Sequence, residues 1–226
     1  PKKLARAGIS DMRSANRYLE QVYRLGHNRE FGVPSTLAGT ATAGSVVVDS
    51  GTLTLASAQR LLALPVLQVN SGATLAFNGD QAVGSLAGAG NVGLNSFTLS
   101  TGSTGNSVFA GAISGSGELI KLGSSSVFTL TGANSYTGVT RISAGTLRVG
   151  DGGTSGSLAT SSIETNGTLS LVRSDDVTLA QPVSGSGSVE QAGNGRLLFS
   201  GNNKSYSGDT LVTRGQLATA GADELP

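Results

Sequence analysis

Few residues in this chain have the type and spacing that chemistry requires. There is one histidine, His27, and no cysteine. Acyl transfer needs a nucleophile, a base and an orienting acid. A lone histidine beside the end of a basic segment reads as structural or solvated, not as a catalytic base. A metal centre needs clustered ligands, so no metal site and no cofactor are expected. Asp175 and Asp176 are adjacent carboxylates. Neighbours on a strand point to opposite faces, so a turn is their expected home, not a paired acid and base. Asp151-Gly152-Gly153 is only an echo of a calcium-binding glycine-rich repeat. Gly115-x-Gly117 and Gly185-x-Gly187 lack the following helix that a phosphate or dinucleotide loop needs. Tyr136 and Tyr206 are the candidate surface-binding residues, because exposed aromatic rings bind glycans and partner proteins. The competing reading packs each ring over its own turn.

These residues sit in a repeating frame. The offset from Tyr136 to Tyr206 is 70, and it is the same from Gly145 to Gly215. Ile113-Ser-Gly-Ser-Gly and Val183-Ser-Gly-Ser-Gly keep this offset too. Inside this superperiod, shorter units recur as a glycine followed by alternating polar and apolar residues. Examples are Gly51-Thr-Leu-Thr-Leu, Gly72-Ala-Thr-Leu-Ala-Phe, Gly145-Thr-Leu-Arg-Val and Gly167-Thr-Leu-Ser-Leu. The step from Gly51 to Gly72 is 21, and from Gly145 to Gly167 it is 22. Alternation is the period of a half-buried strand, and a fixed spacing of such units marks a stacked repeat protein. About three units of 21 to 24 residues fill each superperiod.

Composition agrees. Charged residues are 13% and aromatics 4%, while glycine contributes 34 of 226 residues. The core must therefore be aliphatic, with Ser, Thr, Asn and Gly supplying turns and wet faces. Without cysteine, stability rests on hydrogen bonding and repetitive packing, not disulfides. No apolar run approaches the roughly 20 residues of a membrane-spanning helix, and no signal peptide is recognised at the start.

A unit of this length with glycine corners fits one coil of a right-handed parallel β-helix, an all-β solenoid. Parallel strands cannot be joined by a tight hairpin, and a coil answers this by circling once before it pairs. Residues 36–226 are read as this solenoid, with about eight coils and truncation expected at the C-terminal end. The rival is an antiparallel sandwich, which leaves the superperiod unexplained. Residues 1–35 read as a separate basic segment. Residues 1–30 hold seven Lys or Arg and three Asp or Glu. Ser10 or Asp11 caps an expected helix whose apolar face is Met12, Ala15, Leu19 and Val22, with Gly26 as its stop. It reads as a cap on the solenoid or the tail of an upstream domain.

Gly132-Ala-Asn-Ser-Tyr-Thr-Gly-Val-Thr140, with Ile142-Ser-Ala-Gly-Thr-Leu-Arg-Val-Gly150, resembles the autotransporter-associated β-strand repeat. That repeat belongs to passenger regions of Gram-negative type V secreted proteins. The resemblance covers residues 111–221 well and 45–110 loosely. It implies export through the outer membrane to the cell surface or medium. The implied partners are a C-terminal outer-membrane β-barrel translocator and a host surface protein or glycan, with no nucleic acid. The implied function is a scaffold presenting an adhesive or host-protein-binding wall. The alternative is the stalk and folding module of a larger autotransporter enzyme such as a secreted serine protease, with any activity in an upstream domain.

Overall fold

The computed structural model describes residues 35–37, 45–58, 66–201, 204–221 and 225–226. The helix expected within 1–35, and His27 with it, lie outside the described residues, of which Ser35 opens a strand. Every strand pairing in the described residues is parallel. This excludes the sandwich and gives a β-solenoid of the expected kind.

The strands of successive coils fall on three walls, always met in the same order. Wall I is a nine-stranded sheet formed by Ser45–Val48, Val66–Val69, Ser85–Gly88, Ser107–Phe109, Val127–Leu130, Thr146–Val149, Thr168–Leu171, Ser188–Gln191 and Thr210–Val212. Wall II starts as a five-stranded sheet of Ser35–Leu37, Gly51–Leu55, Ala73–Phe77, Asn91–Gly93 and Ala112–Ser114. It resumes as a three-stranded sheet of Val177–Leu179, Arg196–Phe199 and Gln216–Thr219. Wall III holds seven strands: Gln81–Ala82, Leu99–Thr101, Leu119–Lys121, Thr140–Ile142, Ile163–Thr165, Val183–Gly185 and Lys204–Tyr206. Nine rungs on wall I mean eight turns, a rod of roughly 40 Å at about 4.8 Å per rung.

The alternation read from the sequence sets the register. On wall II, Leu53, Leu75, Val92 and Ile113 lie directly above one another. On wall I, Phe128, Leu147, Leu169 and Val189 form the matching column. All eight side chains are buried. Each such burial contributes about 1.5–3 kcal/mol, and a one-residue slip would turn a whole column into water.

Glycine at the corners has two roles. Gly115 and Gly185 have φ of 108° and 109°, a region closed to most side chains. The second role is close approach. Gly123, Gly145, Gly167, Gly187 and Gly208 stack through successive coils, and a Cβ on any of the last four would fall 2.1–2.4 Å from the carbonyl oxygen of the glycine before it. Gly167, Gly187 and Gly208 do not have positive φ. Their glycine is required by the next coil, not by their own backbone.

The superperiod has a geometric consequence. Leu119 is on wall III, whereas Val189 is on wall I. Thr146–Val149 is on wall I, and its counterpart Gln216–Thr219 is on wall II. One superperiod spans ten sides of the three-sided coil, or three turns and one third. Equivalent residues of the two copies therefore face different directions.

Candidate functional site

The two tyrosines are not at the surface. Tyr136 is 0% and Tyr206 1% exposed. The Tyr136 hydroxyl bonds the Thr140 hydroxyl at 2.6 Å, and Tyr206 pairs with Thr210 in the same way. Burial raises the pKa of both phenols, while the threonine bonds pull the other way. The backbone of Tyr136 bonds Ile113 of wall II, whereas Tyr206 is in a wall III strand. The rings are packed in the core with Phe77, Phe109, Phe128 and Phe199, not displayed on a wall. The two rings cannot form one ladder, since the copies are turned by one wall.

The carboxylates are also occupied. Asp175 accepts from Arg173 at 2.8 and 2.6 Å, and that guanidinium holds its carboxyl below the ordinary range. Asp176 pairs with Arg196 at 3.0 Å. Both acids lie in the connection before Val177–Leu179, Asp175 in a bend, and neither is in a strand. Among the described residues no group of three or more His, Cys, Asp or Glu could hold a metal ion. Gly115 and Gly185 are solenoid corners with no helix after them.

Three features were not read from the sequence. The first is Lys121, a wall III residue pointing inward and 0% exposed. Its ammonium donates to the carbonyls of Leu122, Gly123 (3.1 Å) and Ala144 (3.2 Å) and to the Ser126 hydroxyl (2.8 Å). Desolvation lowers its pKa to about 8. Gln191, its counterpart one superperiod later, donates to the Gly193 and Gly195 carbonyls at 3.1 and 2.8 Å. Both side chains donate to corner carbonyls in the interior, where buried acceptors need partners. The second is a charged ladder outside wall III, where Arg141 pairs with Glu118 at 2.9 Å and with Glu164. The equal offset of 23 on each side of Arg141 is the signal that was there to find.

The third is a cleft of about 250 Å³ where wall II is interrupted. Between Ala112–Ser114 and Val177–Leu179 no strand belongs to this wall. The chain after Thr146–Val149 swings outward, and the Gly152 N–H bonds the Val172 carbonyl at 2.7 Å. It rejoins the wall at Ser157, which bridges Ala133. The opening is floored by Val149, Leu169 and Leu171 and rimmed by Arg173, Asp176 and Gln181. It has an apolar floor and a polar rim.

Comparison with known proteins bears on these coils directly. The passenger-associated-transport-repeat family model matches residues 119–149 and 189–218. The first match begins on wall III and the second on wall I, so they are the two copies turned by one wall. These two segments are passenger-associated transport repeats. Over 130 residues, 49% of the chain, it is 34% identical to the adhesin BmaC autotransporter of Brucella suis biovar 1 (strain 1330). The chain spans 4% of that protein's length. No solved structure matches the chain.

Proposed function

We propose that this passenger segment is a non-enzymatic scaffold whose walls serve adhesion on the bacterial surface or after release. The observation that carries this reading is the similarity of half the chain to an autotransporter adhesin. It favours an adhesive wall over an enzyme's stalk. The fold supports it, because a solenoid turns short repeats into an extended surface. That surface is rich in Ser, Thr and Asn, which suit wet, polar recognition. The natural partners are a host surface protein or glycan, with a C-terminal β-barrel translocator carrying the passenger across the outer membrane.

Beads coated with the purified chain test the reading. They should attach saturably to epithelial cells, and soluble chain should displace them. Protease or glycosidase treatment of the cells then tells protein from glycan. Attachment no greater than that of beads coated with an unrelated β-solenoid would sink the adhesive reading.

A further inference from the structure

The interruption in wall II leaves more than an apolar hollow. Val177–Leu179 is the edge strand of its three-stranded sheet, paired only with Arg196–Phe199 in the next coil. The Ser200 N–H donates to the Leu179 carbonyl at 3.2 Å, so Leu179 turns its polar groups toward that next coil. Along a parallel strand, alternate residues face opposite neighbours. The N–H and C=O of Thr178 therefore point the other way, into the interrupted rung. No backbone bond from the described residues reaches them there. In the preceding coil the chain passes outside this position. The Arg173 guanidinium ties back the Gly156 carbonyl, and the Gln181 side chain donates to the Leu158 carbonyl at 3.2 Å across the corner.

We infer that the cleft between Ser157 and Val177–Leu179 binds an extended peptide as the missing rung of wall II. Its backbone pairs with both polar groups of Thr178, and one apolar side chain enters the space above Leu169 and Leu171. Strand addition to an open edge draws affinity from backbone bonds and specificity from alternate side-chain pockets. The volume, about 250 Å³, is below the roughly 300–1,000 Å³ usual for small-molecule pockets. It suits one anchoring side chain better than a whole ligand. On the rim, Arg173 is already paired with Asp175 and Asp176 with Arg196, so recognition needs no charge on the peptide. The inference adds a discrete site to the adhesive reading and does not depend on it.

The probe is a blocked neutral pentapeptide, acetyl-Ser-Leu-Thr-Leu-Ser-amide, titrated into the whole chain and followed by amide NMR. In the free protein the Thr178 amide should exchange with solvent at least tenfold faster than that of Leu179. Saturating peptide should slow it at least tenfold, with shifts confined to residues around the cleft. A fully N-methylated analogue should bind at least tenfold more weakly. Thr178→Pro removes a donor that its own sheet does not use, so it should keep the melting temperature and lose at least tenfold in affinity. An amide at Thr178 as protected as its neighbours in the free protein overturns the inference even if that variant does not fold. So does equal binding of the N-methylated analogue, which would mean a side-chain pocket only. An absence of shifts at millimolar peptide also overturns it, as does a Thr178→Pro defect seen only in self-association of the chain. Loss of cell attachment with peptide binding intact would count against the adhesive reading alone, and the converse against the cleft alone.

Discussion

Lys121 puts a cation where the solenoid has no water to spare. Its partners are dipoles, not a carboxylate, so no opposite charge offsets the desolvation. The folded pKa is about 8 against an ordinary 10.5. Between these values the unfolded chain holds a proton that the folded chain has lost, so stability rises with pH. Below about 8 the full cost is present, and above 10.5 it is gone. Thermal melts should therefore show a melting temperature that climbs from pH 8 to 10. Lys121→Gln should abolish the climb and be the more stable protein at pH 8, because it lacks the desolvated charge and an amide already fills this role at Gln191. A wild-type profile that falls over this range would refute the assignment. None of this was legible in the sequence. A lysine in an alternating strand reads as an outward residue until the register shows it stacked between Thr101 and Ile142.

At the scale of the element, the corner decides what a coil tolerates. A Cβ at Gly167 would sit 2.3 Å from the Gly145 carbonyl oxygen, whereas at Gly153 it would meet only Asp151 Oδ1 at 3.6 Å. Gly167→Ala should therefore cost about 2 kcal/mol by forcing two coils apart, while Gly153→Ala should leave the denaturant midpoint nearly unchanged. Equal effects would mean that the corners yield. In the sequence Gly167 opens a repeat unit and Gly153 sits in a glycine pair, and neither context reveals a contact with another coil. Only the stacking separates the one that touches another backbone from the one in an open loop. The cleft was hidden for a related reason. The stretch 150–158 carries the glycine and serine of any corner, and its departure from wall II shows only when the strands on either side are seen to lack it.

For the whole molecule, the relation between repeat and coil matters most. A unit of ten sides on a three-sided coil turns successive copies by one wall, so like surfaces wind around the rod. Excision of residues 119–188 should still give a cooperative solenoid, because Val189 meets the inward role that Leu119 held. The rod should shorten by three and a third rungs, about 16 Å at the parallel-strand spacing. Solution scattering can measure that change. Excision of half that length, which breaks the match of inward positions, should cost the cooperative transition. If both deletions behave alike, the equivalence of the walls is wrong.

Residue order was enough to set the class of fold, the coil length and most of the core. Periodicity in residue type is local information, and parallel stacking is the one arrangement that satisfies its backbone and its apolar face together. It also carried the likeness to passenger repeats, since the stretch from Gly132 to Gly150 overlaps the first of the two matched segments. Which way individual side chains face was settled only by the packing of coil on coil. Tyr136 went inward, Lys121 was buried beneath corner carbonyls, and Thr178 was left with an open backbone edge. These outcomes depend on which residue lies in the coil above and in the coil below. That contact is set by where each coil turns, and a single outward loop at 150–156 is enough to change it.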